Sequence, residues 1–345
     1  MSDSLTILSG DVSAMLPLLP EQSVHCVVTS PPYWGLRDYG APGQIGLEKT
    51  PVEYVAAVVA VFRQVWRVLR DDGVLFLNIG DSYANDGKWG GRTGGKHCKA
   101  LHGSPVGRTK KLTGLKPKDL IGIPWRVAFA LQSDGWYLRS DIIWSKPNPM
   151  PESVTDRPTR AHEYIFLLTK SQRYYYDAAA IREPAKESTI RQVLDGYNGQ
   201  ASKDFEANGF QDASATKKRV INGLRKRVDK QRGHSRRHAG FNDRWDSMTK
   251  EEQQLLGSNK RSVWTVATAI FREAHFATFP PDLIKPCILA GCPVGGTVLD
   301  PFGGSGTTGA VALELGRKAI LCELNPDYVE MIKRRCNVTP GLALA

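Results

Sequence analysis

Short apolar runs and one long amphipathic stretch alternate along the first part of the chain. The run Val24–Val28 is brief, largely β-branched and closed by two prolines, which cannot continue a strand ladder, so it predicts a buried strand. From Pro51 to Leu69, apolar residues recur at helical spacing and predict a helix that faces the core. Another strand is expected over Gly73–Asp81.

A strand, a glycine-rich loop, a helix and a second strand are predicted near the C-terminus. The strand pattern ends at Asp300, a helix over Ala310–Leu315 stops at Gly316, and Lys318–Glu323 is the next strand. This is one βαβ half of a doubly wound fold, in which an acidic residue about 20 positions beyond the glycines can bind ribose hydroxyls. Glu323 fits that role. The loop has neither the Gly-x-Gly-x-x-Gly dinucleotide pattern nor the Gly-Lys-Ser/Thr of a P-loop, so phosphate binding is not favoured.

The tetrapeptide Ser30-Pro31-Pro32-Tyr33 follows the first buried strand. It brings a hydroxyl, a carbonyl and an aromatic ring to one point, and these groups can hold a flat heterocycle with an exocyclic amine. Chemistry on such a base requires that it first leave the duplex, because a stacked base is sterically blocked. A plain strand followed by a turn explains the same four residues when they are taken alone.

Two motifs together resemble a known family. Asp300-Pro301-Phe302-Gly303-Gly304-Ser305-Gly306 resembles the S-adenosylmethionine loop of DNA amino-methyltransferases, and Ser30–Tyr33 resembles their catalytic [Asp/Asn/Ser]-Pro-Pro-[Tyr/Phe/Trp] motif. The catalytic motif precedes the cofactor loop, as in the β group of these enzymes. The resemblance implies an α/β fold, a doubly wound and mostly parallel sheet of the S-adenosylmethionine-dependent methyltransferase type with an inserted target-recognition region.

The resemblance also implies a set of site residues. Ser30, Pro31, Pro32 and Tyr33 would be catalytic. Asp11 matches a contact to the cofactor adenine, although it can equally cap a helix that starts at Val12, and both roles are compatible. The expected cofactor-binding residues are Asp11, Thr278, Phe279, Lys285, Asp300, Pro301, Phe302, Gly303, Gly304, Ser305, Gly306, Thr307 and Glu323. His162 and Glu163 are expected to orient loops or pair across strands rather than to act as catalysts.

The charge of the chain agrees with a nucleic-acid substrate. Its 345 residues carry a formal net charge of +11, as expected for a protein that contacts phosphates. Basic residues concentrate in one stretch, where the expected DNA-binding residues are Lys217, Lys218, Arg219, Arg225, Lys226, Arg227, Arg236 and Arg237. A second basic, glycine-rich stretch runs from 92 to 118. Solvated segments explain such stretches too, but long insertions between recognised motifs favour DNA contact.

Other features limit the classes of protein. His97, Cys98 and His102 form a weak cluster without a cysteine pair, so no metal site is expected. No signal-peptide pattern opens the sequence and no apolar run is long enough to cross a membrane, so a cytoplasmic protein is expected.

Three regions follow from these patterns. Residues 1–177 supply the catalytic half of the methyltransferase domain, with the basic glycine-rich loop at 90–118. Residues 178–262 are polar and weakly periodic and are interpreted as the target-recognition region. Residues 263–345 supply the cofactor-binding half.

The predicted function is methyl transfer from S-adenosyl-L-methionine to the exocyclic amine of a flipped base in double-stranded DNA. Ser30 at the first motif position is typical of cytosine N4 enzymes. The longer stretch Thr29–Gly40 resembles a bacterial and phage type that includes adenine enzymes, so adenine N6 is favoured narrowly over cytosine N4. An RNA or protein amino-methyltransferase and a non-catalytic DNA-binding module are the alternatives. A homodimer is expected from the resemblance, and a cognate restriction endonuclease is left open.

Overall fold

The computed structural model describes residues 4–35, 43–84, 114–185, 257–268 and 279–336. In chain order the strands in these ranges are β1 (Leu5–Ser9), β2 (Val24–Thr29), β3 (Leu69–Ile79), β4 (Tyr137–Ser145), β5 (His162–Thr169), β6 (Val263–Thr265), β7 (Thr297–Asp300) and β8 (Lys318–Glu323). The α-helices in the same ranges are α1 (Val12–Met15), α2 (Pro51–Val68), α3 (Ile123–Ser133), α4 (Pro281–Gly291), α5 (Thr307–Glu314) and α6 (Pro326–Cys336). Single 3-10 turns occur at Leu16–Leu18 and Ala179–Ile181.

The eight strands form one sheet in the order β1-β8-β7-β2-β3-β5-β4-β6. All neighbouring pairs are parallel except the two that β5 makes with β3 and β4. This confirms the predicted doubly wound, mostly parallel sheet. Strand β2 lies between β7 and β3, so the residues that follow β2 and β7 emerge side by side at the carboxyl edge of the sheet, where ligands bind in such folds.

Helices cover both faces of the sheet, which explains why the central strands are apolar without alternation. On β2, Val27 belongs to the core shared with α2 and α3, whereas Cys26 and Val28 belong to the core shared with α4 and α5. Helix α2 begins with a capping box, in which the Thr50 side chain accepts from the Glu53 backbone and Glu53 accepts from the Thr50 backbone.

Two element boundaries differ from the sequence prediction. Strand β3 begins at Leu69, directly after α2, rather than at Gly73. Helix α5 begins at Thr307 rather than at Ala310, because Gly306 adopts φ +80° and supplies the left-handed residue from which the helix starts. The helix ends before Gly316, and β8 spans the predicted residues.

The contacts divide the chain into two units, one formed by Met1–Ala180 with Arg261–Ala345 and the other by Ile181–Lys260. Within the described part of the second unit, Glu183 and Ser258 form an antiparallel bridge. The roles assigned to the three sequence regions stay predictions. No helix within the described ranges is long and apolar enough to cross a membrane.

Candidate active site

The Ser30–Tyr33 segment leaves the sheet at the end of β2 and is held from several sides. Pro31 is buried. The buried Tyr54 hydroxyl on α2 donates to the Pro32 carbonyl at 2.9 Å, and the Trp34 indole N–H donates to the Glu48 carbonyl at 3.0 Å. In contrast, no donor from the described residues reaches the Pro31 carbonyl. The described contacts therefore fix the segment in place and leave the Pro31 carbonyl without a donor from these residues.

The Tyr33 hydroxyl lies among polar groups from three strands. It is 2.7 Å from Glu163 Oε2 on β5, 3.2 Å from Asn78 Oδ1 on β3 and 3.5 Å from Ser30 Oγ after β2. Burial, followed by the charge of the Glu163 carboxylate, raises the pKa of Tyr33 well above its ordinary value. The tyrosine is therefore a neutral hydrogen-bonding group throughout the physiological pH range.

Gly80 determines where the Tyr33 ring lies. A β-carbon added at Gly80 would be 2.5 Å from Tyr33 Cε2 and 3.0 Å from Cδ2, closer than such atoms approach in proteins. The ring consequently packs directly against the backbone that follows β3. A side chain at position 80 would displace it.

Asp300 joins the two motifs across the sheet. Its Oδ1 accepts from the Thr29 hydroxyl at 2.6 Å and from the Phe302 N–H at 3.0 Å, while its Oδ2 accepts from the Thr308 hydroxyl at 2.6 Å. The side chain is buried, and this burial raises its pKa from 3.8 to about 7 against the opposing effect of the hydrogen bonds. Both carboxyl oxygens accept hydrogen bonds from the protein, so Asp300 stabilises the conformation of the loop.

Glu323 closes the glycine loop from the other side. Its Oε2 accepts from the Gly304 N–H at 2.7 Å, its Oε1 accepts from the Asn325 N–H at 2.8 Å, and its backbone carbonyl accepts from the Gly10 N–H at 2.8 Å. Burial raises the pKa of Glu323. A carboxylate oxygen accepts more than one hydrogen bond, so Glu323 retains capacity for ribose hydroxyls at the end of β8.

The loop backbone offers an open surface at Gly304. This residue adopts φ +51°, and a β-carbon added there would have only the Phe302 carbonyl oxygen near it, at 3.8 Å. A ligand can therefore approach the backbone at this point. Behind the loop, Arg335 of α6 donates to Ser305 Oγ at 3.0 Å and to Thr307 Oγ1 at 2.9 Å, so both side chains face the protein.

Several predicted residues are placed as follows. Asp11 caps α1 by accepting from the Ser13 N–H at 2.8 Å, as the alternative interpretation expected, and it directly follows the Gly10 contact to β8. Phe279 is buried just before α4. Thr278 and the DNA-binding residues predicted in the basic stretch lie outside the described residues. The predicted roles of Asp11 and Phe279 in cofactor binding stay predictions.

Lys285 is not brought to the glycine loop. Its ammonium group lies 3.3 Å from Glu314 Oε1, at the last residue of α5. The loop precedes the first residue of this eight-residue helix, about 10 Å away along the helix axis. A sequence motif places Lys285 on a helix but does not say which end of the neighbouring helix it meets.

Three residues that surround the site were not predicted from the sequence. Asn78 contacts Tyr33, Arg335 supports the loop, and Lys146 forms an ion pair with Glu163. Lys146 and Glu163 extend from neighbouring antiparallel strands, in keeping with the expectation that Glu163 pairs across strands. For Asn78 a local signal exists, because an asparagine inside the apolar run Leu77-Asn78-Ile79 is unusual and indicates a polar contact.

No group of three or more metal-ligating side chains of the His, Cys, Asp and Glu types occurs in the part of the chain that the structure describes. The cluster of His97, Cys98 and His102 falls outside it. Cys26 and Cys322 are free, buried thiols.

Comparisons with known proteins identify the family. The family model described as DNA methylase, for enzymes of the N6 and N4 types, matches residues 24–334. The type II methyltransferase M.Cfr9I of Citrobacter freundii is 44% identical over 330 residues, which cover 96% of this chain and 87% of that protein. The DNA adenine methyltransferase YhdJ of Escherichia coli is 50% identical over 341 residues, covering 98% and 84%. The putative DNA modification methylase TTHA0409 of Thermus thermophilus, solved with S-adenosyl-L-methionine, shares the fold with a TM-score of 0.51 at 22% identity, covering 97% of each chain.

Proposed function

Because this chain belongs to the N6-adenine and N4-cytosine DNA methylase family and is an S-adenosyl-L-methionine-dependent DNA amino-methyltransferase, we propose that it methylates the exocyclic amine of a base flipped out of the duplex. The Thr29–Asp300 hydrogen bond of 2.6 Å carries this proposal. It ties the end of the strand that precedes Ser30–Tyr33 to the start of the glycine loop. The groups suited to a base and those suited to the methyl donor are thereby neighbours.

Ser30, Pro31 and Tyr33 hold the base in this proposal. The Ser30 hydroxyl and the open Pro31 carbonyl accept the two N–H bonds of the amine, and the Tyr33 ring stacks on the base. Pro32 fixes the turn between these groups. Accepting both N–H bonds draws the nitrogen lone pair out of conjugation with the ring and directs it at the methyl donor. Positioning of this kind supplies most of the rate enhancement.

The cofactor side fits S-adenosyl-L-methionine. Glu323 is an acidic group with remaining acceptor capacity at the end of β8, and Gly304 leaves its backbone open to a ligand. Pro301, Phe302, Gly303 and Gly306 form the rest of the loop, with Ser305 and Thr307 held behind it. When bound, the cofactor would supply an electrophilic methyl group. The bond from this methyl group to the sulfonium sulfur breaks, and the rest of the cofactor leaves as a neutral thioether. The amine nitrogen forms the new bond to carbon and loses its proton to water.

Adenine N6 is the first candidate for the methylated amine. The 50% identity to a relative that is named as a DNA adenine methyltransferase supports it. Cytosine N4 is the second candidate, and Ser30 at the first position of the catalytic motif supports that one. Both bases present an amine beside a ring nitrogen, so the same three groups can hold either.

DNA contact is proposed for Lys217, Lys218, Arg219, Arg225, Lys226, Arg227, Arg236 and Arg237. Target recognition is proposed for residues 178–262. The formal net charge of +11 supports an interaction with phosphates. A homodimer and a cognate restriction endonuclease would be further partners, the second in line with relatives named as type II methyltransferases.

The decisive experiment measures the product of the reaction. Purified protein is incubated with unmethylated bacterial DNA and S-adenosyl-L-methionine labelled in the methyl group, and the DNA is digested to nucleosides for mass spectrometry. Label in N6-methyldeoxyadenosine or N4-methyldeoxycytidine supports the proposal and identifies the base. Absence of label from every nucleoside, with cofactor binding shown by calorimetry, overturns it and directs the assay to RNA and protein.

Two variants test the assignment of the pocket. Tyr33→Ala removes the stacking ring, and Pro31→Ala removes the proline ring that fixes the backbone presenting the carbonyl. Tyr33→Ala should lose methyl transfer by at least about 100-fold and Pro31→Ala should also lose it, while both bind the cofactor as the wild type does, because they change only the side that holds the base. Tyr137→Ala is the control, because Tyr137 is 40% exposed at the start of β4, the opposite end of the sheet. Near-normal turnover by Tyr33→Ala would show that the base binds elsewhere.

A further inference from the structure

Glu163 links the Tyr33 hydroxyl to the largely covered ammonium group of Lys146. One of its carboxylate oxygens, Oε2, is 2.7 Å from Tyr33 Oη, and the other forms the ion pair with Lys146. The side chains of Glu163 and Lys146 are only 16% and 17% exposed. The Lys146 ammonium also lies 4.1 Å from the centre of the Trp144 ring, which restricts it further. The Glu163 carboxylate is therefore held by Lys146, which directly follows β4, and by Asn78 on β3, whose amide nitrogen donates to Oε2 at 3.4 Å.

The direction of the hydrogen bonds around Tyr33 follows from the partners. As the partner of an ammonium group, Glu163 is a carboxylate and can only accept. The Asn78 amide donates through its nitrogen to the Tyr164 carbonyl at 3.0 Å, and its oxygen faces Tyr33 at 3.2 Å. Both groups are thus acceptors toward Tyr33 Oη. The single phenolic hydrogen must point to them.

This direction determines the state of Ser30. With its hydrogen committed to Glu163 and Asn78, Tyr33 Oη has only lone pairs to offer Ser30 Oγ, which lies 3.5 Å away. In this long contact the Ser30 hydroxyl is therefore the donor and Tyr33 Oη the acceptor. Its lone pairs remain for the pocket, where they can accept a hydrogen bond but not donate one.

We propose that Glu163 is a positioning residue that sets the direction of a series of hydrogen bonds, in which Ser30 donates to Tyr33 and Tyr33 donates to Glu163. Ser30 then presents an acceptor to the base. Such a site admits an exocyclic amine, which donates, and disfavours a ring carbonyl at the same place, which needs a donor. The inference rests on the proposed function, because it concerns how Ser30 receives the amine. It assigns to Glu163 and Lys146 a share in the choice of amino over keto bases.

Glu163→Gln is the sharpest perturbation, because the amide has the same shape but can donate through its nitrogen. A donated bond to Tyr33 Oη would allow the phenolic hydrogen to turn to Ser30 and the Ser30 hydrogen to turn into the pocket. We expect the single-turnover rate of DNA methylation to fall by about 10- to 100-fold, which corresponds to loss of a hydrogen bond to a charged group. Cofactor affinity should stay within about twofold of the wild type.

Tyr33→Phe removes the hydroxyl that connects Ser30 with Glu163 but keeps the ring. The two changes therefore form a double-mutant cycle. If Glu163 acts through Tyr33, Glu163→Gln should cause almost no further loss in the Tyr33→Phe background. Glu314→Gln, which alters the exposed ion pair with Lys285, is the matched control and should leave the rate unchanged.

The results of the double-mutant cycle distinguish a failure of the Glu163 proposal from a failure of the proposed function. Non-additive losses, with melting temperatures and cofactor affinity unchanged, support the proposal. Fully additive losses, or wild-type rates for Glu163→Gln, overturn it while the proposed function stands. A wild-type chain that transfers no label to DNA overturns both. If Glu163→Gln does not fold, Lys146→Gln replaces it, because loss of the ammonium frees the Glu163 carboxylate from its position and should give the same pattern in the cycle.

Discussion

Replacing Asp300 by asparagine should remove a pH-dependent penalty from the stability of the chain. Asn Oδ1 can keep the bonds from the Thr29 hydroxyl and the Phe302 N–H. The new amide nitrogen faces Thr308, whose hydroxyl lies 3.4 Å from the Val28 carbonyl and can turn its hydrogen there. The substitution therefore preserves the shape of the buried junction and removes only its ability to ionise.

The sign of the effect follows from the raised pKa. In the folded chain the carboxyl group has a pKa of about 7, compared with its ordinary value of 3.8, so the folded state binds the proton more tightly than the unfolded state. Below about pH 4 both states are protonated and there is no penalty. Between about pH 4 and pH 7 the unfolded state alone releases the proton, and the free energy of unfolding falls as the pH rises. Above about pH 7 the penalty is constant.

The size of the effect is large enough to measure. Each unit of pKa difference corresponds to about 1.4 kcal/mol, so a difference of about three units sets the full penalty at about 4 kcal/mol. The free energy of unfolding of Asp300→Asn minus that of the wild type should therefore rise by about 1.4 kcal/mol per pH unit between pH 5 and about 7, and then level off.

Urea denaturation followed by tryptophan fluorescence, from pH 5 to pH 8, tests this. Taking the difference between variant and wild type cancels the titration of other groups that both chains share. The exposed Asp141 on β4 provides the control variant Asp141→Asn, which makes the same chemical change at a carboxyl group that is not buried. A difference for Asp300→Asn that stays within about 0.5 kcal/mol across the whole range would show that Asp300 is not a buried carboxyl of raised pKa.

Two further predictions concern the boundaries of the site. Gly80→Ala should lower the methylation rate by at least about 10-fold with cofactor affinity intact, because the added carbon would lie 2.5 Å from the Tyr33 ring. Steady-state kinetics measures the rate and calorimetry measures the cofactor affinity. Full activity of the variant would contradict the close packing of Tyr33 against Gly80. Lys285→Met should leave cofactor affinity within about twofold and stability within about 1 kcal/mol, since it removes only an exposed ion pair with Glu314. A tenfold loss of cofactor affinity in calorimetry would instead support the predicted role of Lys285 in cofactor binding.

The parts of the fold that the sequence predicted are those with local signals. Strands β2 and β8 and the loop beginning at Asp300 are marked by apolar runs, prolines and glycines, and these decide the local backbone with little help from the rest of the chain. The strand–loop–helix–strand pattern added the predicted role of Glu323, and the family motif added that of Ser30. None of these inferences required knowledge of which strands are neighbours.

The contacts of Glu163 could not be predicted in the same way. They depend on the antiparallel placement of β5 between β3 and β4, which sets Ile79 opposite Tyr164 and Trp144 opposite Glu163. A shift of one residue would turn Glu163 to the other face of the sheet. The sequence contains both partners of each contact, but the register that joins them is a property of the assembled sheet.

The permuted order of the two motifs has a simple structural explanation. The site needs the ends of β2 and β7 to be neighbours, and the sheet makes them so although Thr29 and Asp300 are 271 positions apart in the chain. The Asp300 carboxylate then receives one hydroxyl from each side, Thr29 from the catalytic strand and Thr308 from the helix behind the loop. A small movement of either strand would break a buried hydrogen bond, and a buried polar group is costly to leave without its partner. The distance between the groups proposed to hold the base and the glycine loop thus depends on this buried contact, so a substitution there should change the rate of transfer more than the binding of either substrate.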